Sequence, residues 1–186
     1  MKLKIHLTFG LLIWAAFSCI SHEGQKKLDK PPYFDLKGFV DLELTKLDGA
    51  KVVKISKVNG EEKSVEKTFS LKEWKEEFEI FYSADINTPS LATSYSTETE
   101  GEYLVHRLLP EAKGKVKEIR IKYIKEYPAA IIVRTGEESL YYQTNTLAEF
   151  HMNMATEMID HYTIESNQKV WFLDPTHVKI SGATKQ

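Results

Sequence analysis

Apolar positions in residues 34–47 recur at three- and four-residue spacings. Leu36, Phe39, Val40, Leu44 and Leu47 fall on one stripe of a helix, and Gly49 stands just beyond it, where a left-handed C-cap ends a helix. Gly38 interrupts the stripe and predicts a close approach to the sheet. Residues 51–58 and 61–68 then flank Asn59-Gly60, a pair that accepts positive φ at both turn positions and so predicts a two-residue hairpin. Its arms are rich in Lys and Glu, which suits a hairpin at a sheet edge or one that protrudes.

The second helix has the best-marked start. Ser70 followed by Glu73 makes a capping box, and Phe69 with Trp74 makes the hydrophobic staple across it. Leu71, Trp74, Phe78 and Phe81 line one face, and Pro89 limits the element to about Ala84. Beyond residue 91 the period shortens to two. The strand candidates are 91–98, 102–109, 115–125, 129–135, 139–145, 147–154, 158–166, 169–173 and 176–181, and some of these runs can merge or be loops. Gly114, Gly136-Glu137-Glu138, Asn167-Gln168 and Asp174-Pro175 read as the punctuation between them.

Short connections imply antiparallel neighbours, since parallel strands need long crossovers. The expected fold class is therefore α+β: two amphipathic helices packed on a curved antiparallel meander sheet, half-barrel-like in shape.

The N-terminal pattern is of another kind. Lys2 and Lys4 precede an apolar run of eleven residues, Leu7 to Phe17, too short to span a bilayer as a helix but suited to a signal peptide. Cys19 follows directly after Ser18 and is the single cysteine in the chain, so no internal disulfide forms. Ala16-Phe17-Ser18-Cys19 resembles the bacterial lipobox, whose cysteine is acylated and becomes the mature N-terminus. Cys19 is accordingly the expected lipidation site. Residues 1–18 read as the lipoprotein signal peptide, 19–32 as the lipidated cysteine with a polar tether, and 33–186 as a single domain.

Composition refines this picture only modestly. Of 186 residues, 42% are hydrophobic and 28% charged, as in an ordinary folded domain. Loss of Lys2 and Lys4 with residues 1–18 turns 25 basic and 27 acidic residues into 23 and 27, a net charge of -4. Such a balance gives no basic patch for nucleic acid.

No nucleophile elbow, zincin motif, phosphate-binding loop, paired-cysteine motif or calcium loop is present in the sequence. His22, His106, His151, His161 and His177 are scattered, and neither a metal nor a cofactor is expected. Asp85 and Asn87 fit a turn that bonds its own backbone. Catalysis is not expected. The aromatic residues offer the remaining candidate site. Trp74, Phe78, Phe81, Tyr123, Phe150 and Trp171 are candidates to line an apolar ligand cavity beneath the second helix, with an ordinary core as the competing reading.

Tyr33-Phe34-Asp35-Leu36-Lys37-Gly38-Phe39, Leu71-Lys72-Glu73-Trp74-Lys75 and Ala84-Asp85-Ile86-Asn87-Thr88-Pro89, taken with the lipobox-like segment, resemble uncharacterised lipoproteins of Bacteroidetes bacteria. The layout is also similar to periplasmic lipoprotein-carrier half-barrels, at the level of fold analogy. The resemblance implies a lipid anchor in the cell envelope, at the outer membrane or the periplasmic face, and brings no catalytic residue with it. The expected role is then a membrane-anchored, non-enzymatic lipoprotein that binds a lipid or other apolar ligand. The alternative is an envelope assembly protein that docks a protein partner through a sheet edge.

Overall fold

A computed structural model describes residues 31–185. The apolar run 7–17, Cys19 and the tether up to residue 30 lie outside the described residues. The elements run α1 (Leu36–Lys46), β1 (Lys51–Val58), β2 (Glu61–Thr68), α2 (Leu71–Glu77), α3 (Glu79–Tyr82), a short 3-10 turn (Pro89–Leu91), β3 (Tyr95–Glu100), β4 (Tyr103–Leu108), β5 (Val116–Ile124), β6 (Tyr127–Glu138), β7 (Tyr142–Asn153), β8 (Met158–Val170) and β9 (Thr176–Lys185).

All nine strands join one antiparallel sheet in the order β2-β1-β9-β8-β7-β6-β5-β4-β3. Seven consecutive strands make the meander, and the β1–β2 hairpin adds to its last strand. The sheet is open, with β2 and β3 at its edges, and the helices are short. The domain is therefore predominantly β, which corrects the expected balance of an α+β half-barrel; the antiparallel meander stands.

Local chemistry explains the ends of the elements. Asn59 and Gly60 take positive φ, 49° and 96°, as a tight hairpin turn requires. Gly49, at φ 77°, lies just past α1. The Asp35 side chain accepts from the Gly38 N–H at 2.9 Å and caps α1. A Cβ at position 38 would strike that carboxylate, so Gly38 serves the cap rather than a close approach to the sheet.

The capping box of Ser70 and Glu73 is present, and the Phe69 and Trp74 rings stand 5.0 Å apart. The continuous helix expected to Ala84 is instead two pieces, broken at Phe78, which has φ -93° and ψ 13°. Trp74 on α2, Phe78 at the break and Phe81 on α3 are all buried in the core against the sheet.

Two pairs of strand candidates merge. The runs 139–145 and 147–154 contribute to one strand, β7, and 158–166 with part of 169–173 forms β8. Asn167 and Gln168 do not punctuate. They pair with Asn145 and Thr144 inside the sheet. Glu137 and Glu138 likewise end β6 instead of forming a turn.

One face of the sheet packs on the helices. Across it runs a row of cross-strand neighbours, Leu104, Ile121, Ile131, Phe150, Tyr162 and Gly182. From the helices, Leu36, Val40, Leu44, Trp74, Phe78 and Phe81 complete the core. The other face carries ion pairs: Arg107 meets Glu100 and Glu118, each at 2.9 Å, and Arg120 meets Glu100 at 3.0 Å.

Candidate functional site

Strand alternation and the short helices place the aromatic candidates. Phe150 points inward from β7 because its neighbours Glu149 and His151 take the other face. Above it, Phe78 and Phe81 descend from the broken helix. Ring centroids lie 5.0 Å apart for Phe81 and Phe150, 5.2 Å for Phe78 and Phe81, and 5.8 Å for Phe78 and Phe150. Trp74 joins through Phe78 at 6.1 Å. These are contact distances between aromatic rings, so the side chains themselves fill the space between them.

The structure thus brings four of the six candidates together. Tyr123 is half-buried on β5 and packs at the margin of the core. Trp171 is far from them in the fold, in the turn after β8, and is 71% exposed.

Polar groups around this centre serve helix–sheet attachment. Tyr162 donates its hydroxyl to Glu77 at 2.9 Å, and Lys54 meets the same carboxylate at 2.5 Å. Burial, followed by the Glu77 charge, raises the Tyr162 hydroxyl far above the ordinary tyrosine value. Near the end of α1, Glu43 takes Lys46 at 2.8 Å and the Tyr127 hydroxyl at 3.0 Å. Among the described residues, the buried Trp74 Nε1 and Glu43 Oε2 have no hydrogen-bond partner.

The histidines take separate positions. His106 is buried; its Nε2 accepts from the Phe34 N–H at 3.2 Å and its Nδ1 meets Thr97 Oγ1 at 2.9 Å. His151 and His161 are cross-strand neighbours whose rings stack 4.5 Å apart, with Asp160 on His161 at 2.9 Å. Burial, then the neighbouring His161, lowers the His151 pKa. His177 meets Glu165 at 2.9 Å. Among the described residues no group of three or more His, Cys, Asp or Glu is placed to hold a metal ion. The turn residue Asp85 accepts from the Asn87 N–H at 2.9 Å, and Asn87 in turn bonds the backbone of Tyr33 and Phe34. That segment ties the start of the domain to the end of the helical layer.

Sequence reasoning missed the main exposed apolar feature. The turns 139–141 and 171–175 sit side by side at one end of the sheet, because Tyr142 pairs with Val170 and the Trp171 N–H donates to the Tyr141 carbonyl at 2.9 Å. Leu140 is 88% exposed, Phe172 78%, Tyr141 62% and Leu173 55%. The legible signal was Trp171-Phe172-Leu173 running directly into Asp174-Pro175, an apolar run placed in a turn.

No helix among the described residues is long and apolar enough to cross a membrane. No protein-family model, curated protein or solved structure matches the chain.

Proposed function

We propose that the chain is a non-enzymatic lipoprotein of the bacterial cell envelope, held to a membrane by acyl chains on Cys19, whose domain docks a protein partner along the free edge of β2. The observation that carries the docking reading is the state of that strand. All eight residues of β2 are exposed, and only one of its sides is paired, with β1. A partner strand laid beside it gains main-chain hydrogen bonds, while the Glu and Lys side chains along it select against indiscriminate pairing. The packed aromatic centre supports this reading over carriage of an enclosed apolar ligand, because a ligand there has to displace rings already in contact.

Two measurements test it. Intact mass of the protein isolated from bacterial membranes should show acyl chains on a chain beginning at Cys19, and Cys19→Ser should release it from the membrane fraction. A photo-crosslinking residue at Ser64 of β2 should capture one discrete protein in cells, where the same residue at Thr163 of β8 does not. Equal labelling from both positions removes the edge-docking reading, and an unmodified Cys19 removes the anchor.

A further inference from the structure

The β6–β7 and β8–β9 turns give the sheet an apolar tip that the edge-docking reading does not use. We infer that this tip, formed by Leu140, Tyr141, Trp171, Phe172 and Leu173, enters the interface of a lipid bilayer and makes a second membrane contact beside the N-terminal anchor.

Residue type argues first. The tip combines Trp and Tyr, which favour the headgroup level, with Leu and Phe, which favour the acyl boundary. A solvent-exposed turn has no folding need for five such side chains, and Leu140 is 88% exposed.

Shape argues second. The tip is two adjoining turns at the end of paired strands, convex and narrow, whereas a stable protein interface needs about 800 Å² from each partner. Just behind the tip Gln143 pairs with Lys169, and one step further Thr144 pairs with Gln168 and Asn145 with Asn167 across β7 and β8. This polar collar marks how deep the tip can go: apolar groups in, amide and hydroxyl groups at the water side. The charges that flank the two turns along the chain are Glu137, Glu138, Lys169 and Asp174, and Lys57, Glu61 and Lys115 stand at the same end of the sheet; the signs are mixed, so apolar burial rather than attraction to anionic headgroups drives the contact.

Reach argues third, and this step rests on the anchored reading above. Twelve residue-to-residue steps join Cys19 to Pro31, a span of at most about 40 Å. Tyr33 is fixed by its hydroxyl to the Ala92 carbonyl at 2.9 Å, next to Tyr95 at the start of β3. That start lies at the tip end of the sheet, since Tyr95 pairs with Leu108 and its hydroxyl reaches the Val116 carbonyl, which is level with Thr135. Three strand spacings and the five residue steps from Thr135 to Leu140 put the tip roughly 25 Å away. Anchor and tip therefore reach one bilayer together.

The test uses the full chain isolated from bacterial membranes and placed in phosphatidylethanolamine–phosphatidylglycerol vesicles with brominated acyl chains. The difference in emission between the wild type and Trp171→Phe isolates Trp171. Bromine should quench that emission and shift it to the blue. The double variant Leu140→Glu, Phe172→Glu, at exposed positions that leave the core intact, should lose both effects. Trp171 emission that bromine leaves unchanged while aqueous acrylamide quenches it overturns the inference. So does emission shielded from both quenchers, which means that a protein partner or a second copy covers the tip. Intact mass of the same preparation separates the two readings: acylated protein with an unquenched Trp171 sinks the tip contact alone, and unacylated protein with a quenched Trp171 supports the tip and sinks the anchor alone.

Discussion

The ring of Tyr162 fills the space directly above Gly182, its cross-strand neighbour on β9. No other residue type fits opposite that ring without moving it. Because the Tyr162 hydroxyl continues to Glu77, and Glu77 also holds Lys54, the bare backbone of Gly182 lets a tyrosine of the sheet reach the helix above it.

Gly182→Ala should therefore destabilise the fold. A Cβ at that position overlaps the Tyr162 ring, and forcing the ring aside also breaks its bond to Glu77. Overpacking of this kind costs about 1–3 kcal/mol. In a Tyr162→Leu background the same substitution should lose most of its effect, because the atoms it strikes are gone. Urea unfolding of the four proteins measures this; additive costs would show that Gly182 and Tyr162 do not act on one another.

The aromatic candidates should divide by position. Phe150→Ala removes a ring in contact with Phe78 and Phe81 at the centre of the core, which costs about 3–5 kcal/mol. Trp171→Ala, in an exposed turn, should change stability by no more than about 0.5 kcal/mol. Thermal or urea unfolding checks both, and a large loss from Trp171→Ala would place that side chain in the core after all.

What the sequence disclosed follows from how local each signal is. The Asn59-Gly60 turn, the Ser70–Glu73 box and the α1 stripe rest on residues within a few positions of one another, and each appears as read. The long strands were harder. Asn145 and Asn167 look like loop residues in isolation, but they face each other across β7 and β8, and only the pairing shows them as sheet. The break at Phe78 was hidden for a related reason, since it depends on where Phe150 and Tyr162 stand below it. Trp171 and Phe172 carry the composition of a core strand, and only the placement of a turn at the sheet end shows them to be surface. Asn87 read only as a local turn residue, and its bonds to Tyr33 and Phe34, like the His106 bond to Phe34, were hidden because they join residues far apart in the chain.

The start of α2 should be sensitive to its cap. Ser70 accepts from the Glu73 N–H, and Glu73 accepts from the Ser70 N–H at 2.9 Å. Ser70→Ala should cost about 0.5–2 kcal/mol. Lys67, with the Ser70 bonds, holds the Glu73 pKa down at about 2 from an ordinary 4.5. The ionised box thus contributes fully above the ordinary value and is lost as pH falls toward 2. Chemical-shift titration of the Glu73 carboxyl measures this directly, and a midpoint near 4.5 would show that the box and Lys67 give it no preference for the charged form.

At milder acidity the control should pass to His106. Its Nε2 accepts the Phe34 N–H, so that nitrogen carries no proton, and its Nδ1–H is left to donate to Thr97 Oγ1. Protonation at Nε2 would break the bond at the entry to α1 and leave a charge in the core. Burial accordingly lowers the His106 pKa below the ordinary 6.5. The unfolded chain takes up this proton more readily than the folded one, so stability rises with pH across the interval between the two values. The contribution is complete above about 6.5 and declines as pH falls through the lowered folded value. The depressed carboxylates, among them Asp41 and Glu165, act in a lower range, below their ordinary values of 3.8 and 4.5. Of the other histidines, His151 is shifted in the same direction and contributes a slope of its own. His106→Gln keeps an acceptor for Phe34 and does not titrate, so it isolates the term. Urea midpoints should fall between about pH 7 and pH 5 in the wild type, and by distinctly less in His106→Gln. Identical falls in the two proteins would assign the acid sensitivity to other groups and leave His106 a neutral packing residue at every pH that the fold survives.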